Sequence, residues 1–385
     1  MREIKTYLVI TPFFPSSSNH KGIYIYDQLN QIRRKKNLKI KIVKLVSIFS
    51  REKNYNFKNF DVYIFKLIDI PFFIFPGIFK TINDYRFNHF LNKNNIISID
   101  IIHAHVAYPS AYIANSIRGC EGVKKIIQHH GLDVIQLNNC RFKFFRILQR
   151  RYLKYKTVLE LNKFDCNVGV SKLVLNQLNK FPKYQPKSEY VFYNGVDTKK
   201  FYKIKVEKNK KYTIGCVANF WKLKDHILLI KAVELLHKKN NNLCLRLVGA
   251  GPTLSECYNY VVKNNLTDII SFESEMPHEH LNLFYNEIDL FVLPSYYEAL
   301  GCVYMEAWAT NTPFIAIKGQ GVSELLQSKD KIYSLANAKE VSSLVDCILK
   351  NMNSKRHFVF DKNYKIDNLV DKFINDVIIN DKENI

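Results

Sequence analysis

Asp289 to Thr312 reads DLFVLPSYYEALGCVYMEAWATNT. Asp289–Leu293 is an apolar run with the length and make-up of a buried strand. Pro294–Gly301 is a loop of polar and aromatic residues, and Cys302–Ala309 is a compact helical segment. Two carboxylates stand eight apart, Glu298 in the loop and Glu306 in the helix, with Gly301 between them where the backbone must come close to something. A helix start offers unpaired amides and a partial positive charge. The amides of Ala299, Leu300, Gly301 and Cys302 can therefore hold a polar ligand such as a sugar. Glu298 can accept hydrogen bonds from its hydroxyls, and Glu306, further into the helix, can take a vicinal diol such as a ribose offers. The plainer alternative is a pair of solvated glutamates near a helix start.

Outward from this stretch, strands and helices alternate. On its N-terminal side lie strands at Tyr212–Ala218, Leu243–Val248 and Ile269–Phe272, with helices at Lys224–Lys238, Thr253–Asn264 and His278–Asn286. A GAGP turn, Gly249–Pro252, follows the second of these strands. On its C-terminal side come a strand at Pro313–Ile317, a GQGVSE turn at Gly319–Glu324, and helices at Ser342–Asn351 and Ile366–Ile379. Lys203–Lys211 is polar, poor in core residues and reads as a linker. The first half repeats the alternation, with strands at Thr6–Thr11, Lys39–Val46, Val62–Leu67, Ile96–His105, Lys124–Gln128, Cys166–Val170 and Tyr190–Phe192. Helical patterns lie at Ile23–Arg34, Ser110–Arg118, Phe142–Asn162 and Leu173–Leu178. Such alternation predicts α/β folding with a doubly wound parallel sheet in each half and a cleft between the halves.

In such sheets ligands bind at the carboxyl ends of strands. The first strand leads through the loop PFFPSSSNHKG to Gly22 and a helix, an arrangement that binds anions, although no G-x-G-x-x-G is present. Histidines close two further strands. His103 and His105 share a strand face, without a third ligand at hand for a metal. His103 and His129 suit packed or hydrogen-bonded roles. His130, followed by Gly131, can reach into a crevice as a donor to a hydroxyl or phosphate.

The chain has 385 residues, 47% of them hydrophobic, enough for two cores. Its eight cysteines form no CxxC pair and no Cys/His cluster, so neither zinc nor a disulfide framework is indicated, and reduced thiols in a cytoplasm fit best. The start, MREIKTYLVITPFFP, is too short in its apolar run for a signal peptide. The apolar run Ile64–Phe79 is interrupted by Lys66, Asp69, Pro71 and Pro76, so no spanning helix is expected. Residues 1–200 carry 34 Lys and Arg against 13 Asp and Glu, whereas residues 201–385 carry 23 against 22. The basic half calls for an anionic partner. Its densest part is RFKFFRILQRRYLKYK, Arg141–Lys156, where Phe142, Phe145, Leu148, Tyr152 and Tyr155 recur at helical spacing among seven basic residues. It suits anionic lipid headgroups, or a packed helix with a solvated face. No nucleic-acid-binding motif accompanies it, so nucleic acid is not expected as a partner.

Several strings occur in one order: HHGLD (129–133), YNGVD (193–197), ANFWKLKDH (218–226), LVGAGP (247–252), FVLPSYYEALGCVYMEAWATNTP (291–313) and GQGVSELL (319–326). This set resembles the retaining GT-B glycosyltransferases of glycosyltransferase family four, also called glycosyl transferases group one, most densely over residues 190–330. The resemblance implies the GT-B fold, with residues 1–203 as an acceptor- and membrane-side Rossmann-like domain, 204–365 as the nucleotide-sugar-binding one, and 366–385 as a helix returning to the first. It implies a UDP- or GDP-linked sugar as donor substrate, no further cofactor and no metal; no D-x-D pair occurs in the chain. Carried over, Glu298 binds donor-sugar hydroxyls, Glu306 the ribose, Lys224 the diphosphate and His130 the donor sugar. Gly22 matches the glycine loop facing the phosphates, and Glu324 lines the same cleft. Two departures stand out. Asn219 occupies the usual arginine's place, five residues before Lys224, leaving Lys222 as a point charge in compensation. The GxP near the end of the helix becomes Asn311-Thr312-Pro313.

Breaking a sugar–phosphate bond builds negative charge on the leaving diphosphate, to be met by Lys224, Lys222 and amides of the Gly22 loop. If Glu298 holds remote hydroxyls it is badly placed as a nucleophile, which favours same-face attack by the acceptor. The expected protein is a cytoplasmic glycosyltransferase at the inner face of the membrane, acting on a lipid-linked or surface-polysaccharide acceptor. An inactive GT-B protein that binds sugar nucleotides, and a GT-B sugar-nucleotide epimerase, are the alternatives.

Overall fold

The computed structural model describes residues 5–17, 19–36, 38–69, 77–119, 121–131, 133, 146–238, 242–354 and 356–379, with the backbone alone at 146 and 148–153. Arg141, Phe142, Lys143 and Phe145 of the basic stretch, Leu132 of HHGLD, Cys120, Cys140 and residues 70–76 of the apolar run lie outside the described residues. The chain folds as two compact units, one of Met1–Tyr193 with Ile366–Ile385, the other of Asn194–Lys365.

The first unit is built on one eight-stranded sheet. Its strands are β1 Lys5–Thr11, β2 Leu38–Ser47, β3 Tyr55–Phe57, β4 Phe60–Leu67, β5 Ile99–His105, β6 Lys124–His129, β7 Cys166–Gly169 and β8 Glu189–Val191. They run in the order β3-β4-β2-β1-β5-β6-β7-β8, all parallel except the β3–β4 hairpin at the edge. Thr6 to Thr11 are all buried, as a central parallel strand covered on both faces requires. The chain order reverses between β1 and β5. The ends of these strands therefore flank a topological switch point, where open α/β sheets place their ligands.

The last described helix belongs to this unit. Ile366, Leu369, Val370, Phe373, Ile374 and Val377 recur at helical spacing and are all buried, in one core with Ile25, Leu29 and Ile32 of the first helix. Phe373 stacks on Phe192 with centroids 4.8 Å apart, and Lys35 donates to the Asp367 carbonyl at 2.8 Å. The helix is α-helical over Ile366–Phe373 and closes with a wider turn to Ile379.

The second unit has the strands β9 Tyr212–Val217, β10 Leu243–Val248, β11 Ile270–Glu273, β12 Leu290–Val292, β13 Phe314–Ile317 and β14 Leu335–Ala336. All are parallel, in the order β11-β10-β9-β12-β13-β14. Renumbered from β9 this is 3-2-1-4-5-6, the order of the dinucleotide-binding Rossmann sheet, with its switch point between β9 and β12. The chain is thus α/β throughout, with two Rossmann-like parallel sheets.

Several readings of the sequence differ from the structure, and three bear on its organisation. The join between units falls at Tyr193 and Asn194, not after Lys203. Phe201 decides this, because its buried ring packs on His278 and Tyr285, and the Tyr202 and Ile204 amides bond Asn282 and Asn286. The helix Lys80–Lys93 was not anticipated. It buries Asn83, Phe87 and Leu91 yet exposes Ile82 and Tyr85, so apolar residues on both sides blur the period. The helix expected over Ser110–Arg118 is a wide turn at Ala107–Ala111 followed only by Tyr112–Ala114.

Among the described residues no helix is long and apolar enough to cross a membrane, and Cys166, Cys216, Cys244, Cys257, Cys302 and Cys347 are free thiols. Both tryptophans, Trp221 and Trp308, lie in the second unit. Replacing Phe373 by Ala is expected to destabilise the first unit by about 3–5 kcal/mol. In urea the far-UV circular dichroism transition moves to lower concentration, while the tryptophan fluorescence transition stays in place.

Candidate functional site

The loop after β9 carries Asn219, Lys222 and Lys224, and the loop after β12 carries Glu298. Their strands are direct neighbours, so the two loops emerge side by side. Tyr296 N and Ser295 Oγ both donate to the Leu223 carbonyl, each at 3.1 Å, and tie the loops together. Lys224 Nζ forms an ion pair with Glu298 Oε1, the lysine side chain 22% exposed and the glutamate 13%. Asn219 and Lys222 are exposed on the same loop.

The turn after β10 packs backbone to backbone on this lysine loop. Gly249 and Gly251 have φ of 142° and 152°, and a Cβ on Gly249 would stand 2.2 Å from the Ala218 carbonyl oxygen. Phe220 N donates to the Ala250 carbonyl at 2.8 Å, and Thr253 N to that of Phe220 at 3.0 Å. Only glycine permits so close an approach.

The Glu298 loop is anchored by Gln320, whose Oε1 accepts from Glu298 N at 2.5 Å, while Gly321 N donates to the Glu298 carbonyl at 3.2 Å. Ala299, Leu300, Gly301 and Cys302 follow directly into the helix Cys302–Ala309, with Leu300 fully buried. Gly301 has φ of 81°, and a Cβ there would stand 2.6 Å from the Tyr304 ring. The close approach at this glycine is thus to a tyrosine of its own helix. Gly22, in the first unit, is similar: its φ is 85° and a Cβ would stand 2.7 Å from the Phe13 carbonyl oxygen.

Glu306 is buried, 7% exposed. Its Oε2 accepts from Tyr285 Oη at 2.8 Å and its Oε1 from His278 Nε2 at 3.1 Å. Neither glutamate is therefore solvated. Glu324 ends the turn Gly321–Glu324 and is half-buried. Its charge is among those that raise the Tyr364 hydroxyl, after burial and Asp361.

His130 belongs to a stack of imidazoles at the carboxyl ends of β5 and β6. His103 and His105 stack with centroids 4.3 Å apart, and His105 Nδ1 meets His130 Nε2 at 3.0 Å. Tyr7 Oη bonds His103 Nδ1 at 2.7 Å, and the Tyr24 ring lies 4.8 Å from that of His130, bringing the helix that Gly22 opens to this cluster. Asp133 holds the turn from below, accepting from the amides of His130 (2.9 Å) and Ala107 (3.1 Å) and bonding His129 Nδ1 at 3.1 Å. Burial pushes His103 down to about 3 and His130 to about 4, helped by neighbouring histidines and resisted by Gln128 and Asp133 respectively. Burial, with His103 and His130, drives His105 well below its ordinary value. Burial raises the Asp133 carboxyl, but His129, His130 and the Ala107 amide outweigh it, and its pKa is lowered. All three stacked rings are neutral at pH 7. Among the described residues no group of three or more His, Cys, Asp or Glu is disposed to hold a metal ion.

Two family models match the chain, Glycosyltransferase Family 4 over residues 43–200 and Glycosyl transferases group 1 over residues 197–365. The chain belongs to these GT-B glycosyltransferases. An uncharacterized glycosyltransferase of Methanocaldococcus jannaschii is 29% identical over 285 residues, which span 69% of this chain and 73% of that protein. Sucrose-phosphate synthase of Thermosynechococcus elongatus has the same fold, with a TM-score of 0.70 and 16% identity over 97% of this chain and 94% of that one. Anabaena HepE, solved in complex with UDP and glucose, also gives 0.70, at 14% identity over 98% of this chain and all of that one.

In this glycosyltransferase the sequence pointed to both glutamates, Lys224 and His130 but missed Gln320, His105, Tyr285 and His278 as their partners. Gln320 sits inside the GQG turn already singled out, a usable signal. The others reach their partners only through the fold.

The histidine stack makes a pH prediction. Its rings bind protons more weakly in the folded chain than at the ordinary value of 6.5, so their contribution is whole above pH 6.5 and is lost as pH falls toward about 4. The melting temperature of the first unit is expected to fall over that window, and less steeply in His130→Asn. An unchanged slope in the variant would show that the ring does not govern the acid limb.

Proposed function

We propose that the protein transfers a sugar from a UDP- or GDP-linked donor to a lipid-linked or cell-surface polysaccharide acceptor, with retention of anomeric configuration and without a metal. The observation that carries this reading is the meeting of Lys224 and Glu298 at the switch point of the second sheet. A cation and a carboxylate held together there suit the two ends of a sugar diphosphate. Lys224 takes the diphosphate, and Glu298, released from its ion pair, accepts from sugar hydroxyls. Glu306 receives the ribose. The amides of Ala299 to Cys302 and the exposed Lys222 complete the anion-binding pole, with Asn219 supplying a polar but uncharged group in place of an arginine. His130 offers a neutral ring to a sugar hydroxyl. In the transfer the acceptor oxygen bonds the anomeric carbon as the bond to the phosphate oxygen breaks. The electron pair passes to that oxygen, which takes the acceptor proton on the same face.

A panel of UDP- and GDP-sugars, read by thermal shift and by nucleotide release, is expected to show one stabilising donor that is turned over in the presence of EDTA. Lys224→Ala is expected to lower kcat/KM about 10²–10³-fold, as for loss of a main charge-stabilising group. Absence of stabilisation by every donor would remove the enzyme reading.

The acceptor side favours an anionic bilayer. Ile78, Ile82 and Tyr85, at spacings of four and three residues, are 59%, 51% and 70% exposed. The helix Arg146–Leu161, with five basic residues in RILQRRYLKYKTVLEL, exposes Ile147, Tyr155 and Leu159. Both helices bond the segment between them, through Asn88 to the Ser116 carbonyl and Asn115 to Glu160. Sedimentation with phosphatidylglycerol vesicles is expected, weakened by salt and by Ile82→Glu, with no binding to neutral phosphatidylcholine. Equal binding to both vesicle types would count against the charged-surface reading.

A further inference from the structure

Glu306 is a buried carboxylate whose neighbours are of an unusual kind. Among the described residues no lysine or arginine pairs with it. Its two oxygens are held by a tyrosine hydroxyl and an imidazole nitrogen. A carboxylate oxygen accepts, so His278 presents Nε2 as N–H. Tyr285 is fully buried, and burial together with Glu306 raises its hydroxyl well above the ordinary value, so it remains a donor.

The fold builds this arrangement from one helical run. His278 opens a short turn, His278–His280, that continues into the helix Leu281–Glu287, and the seven-residue spacing puts His278 and Tyr285 on one face two turns apart. Phe201 packs edge-on against both rings, at 5.1 Å and 6.0 Å. Tyr285 is fixed further by the Phe291 ring at 5.5 Å and by Thr312 Oγ1, which donates to its carbonyl at 2.7 Å. Both donors are thus set by packing before any ligand arrives.

A carboxylate has about four acceptor positions. Tyr285 and His278 occupy one on each oxygen, leaving one on each. A vicinal diol brings two O–H donors, the number left over. Each partner takes up a single acceptor position, so together they orient the carboxylate and leave the other two positions for a ligand.

We propose that His278 and Tyr285 are positioning residues that hold the Glu306 carboxylate for the two hydroxyls of a nucleoside ribose and thereby set a preference for ribonucleotides. The proposal rests on the reading of Glu306 as the ribose ligand and assigns the residues that make it selective.

The test compares UDP and GDP with 2′,3′-dideoxy-UDP and 2′,3′-dideoxy-GDP, by calorimetric Kd with the full chain. The wild type is expected to prefer its ribonucleotide by about tenfold or more, a difference of about 1.4 kcal/mol. Tyr285→Phe and His278→Phe are each expected to bring that ratio down to a few-fold while leaving dideoxynucleotide affinity within about twofold. The unchanged dideoxynucleotide affinity reports an intact fold, which a merely structural role would not spare. Glu306→Ala separates the two layers of the argument. If it leaves the ratio at the wild-type value, or if the wild type has no preference, the ribose reading fails and this proposal with it. If Glu306→Ala abolishes the ratio but Tyr285→Phe and His278→Phe both keep it, the ribose reading stands and the positioning role is overturned.

Discussion

The direct pairing of β9 with β12 is the constraint on which the candidate site in the second unit of this glycosyltransferase depends. The pairing skips two strands of sequence and brings the loop after each to the same edge of the sheet. Lys224 and Glu298, 74 residues apart in the chain, form their ion pair as a consequence. The GAG turn after β10 supports the lysine loop from one side, and the GQG turn after β13 supports the glutamate loop from the other. Each support uses a backbone approach or an amide hydrogen bond, so the geometry is fixed by main chain more than by side-chain packing.

Electrostatics then divides the work between the two glutamates. Glu298 is matched by a cation on a long flexible stem, which can leave for a stronger anion such as a diphosphate. Partial burial makes the pair costly to break without a replacement partner, so a ligand that supplies one is favoured over water. Glu306 is matched by donors on rigid rings, Tyr285 and His278, both set by packing.

The first unit handles its polar groups differently. His103, His105 and His130 lie at strand ends with Asp133 bonded to the His130 amide, and burial keeps the rings uncharged. A neutral stack can hydrogen-bond in either direction according to tautomer, which suits a hydroxyl better than a phosphate. Asp133 bonds two amides and His129, so its negative charge is spent on shaping the turn that aims His130.

Much of this was legible in the residues. Strand and helix alternation determined the α/β class, and the spacing of Glu298 and Glu306 across Gly301 marked the candidate stretch, because periodicity and local backbone demands are written in adjacent residues. The helix Lys80–Lys93 escaped notice because it has apolar residues on opposite faces, and the unit boundary because Phe201 is anchored by residues some eighty positions away, at His278 and Tyr285. The partners of the chosen side chains were also out of reach. That Lys224 meets Glu298, that His105 meets His130, and that Tyr285 and His278 meet Glu306 follows from strand order and helix docking, which depend on burial summed over whole sheets. The amino-acid sequence determined which groups could do chemistry; the tertiary structure decided which of them share a charge, because only packing sets the distances over which charges act.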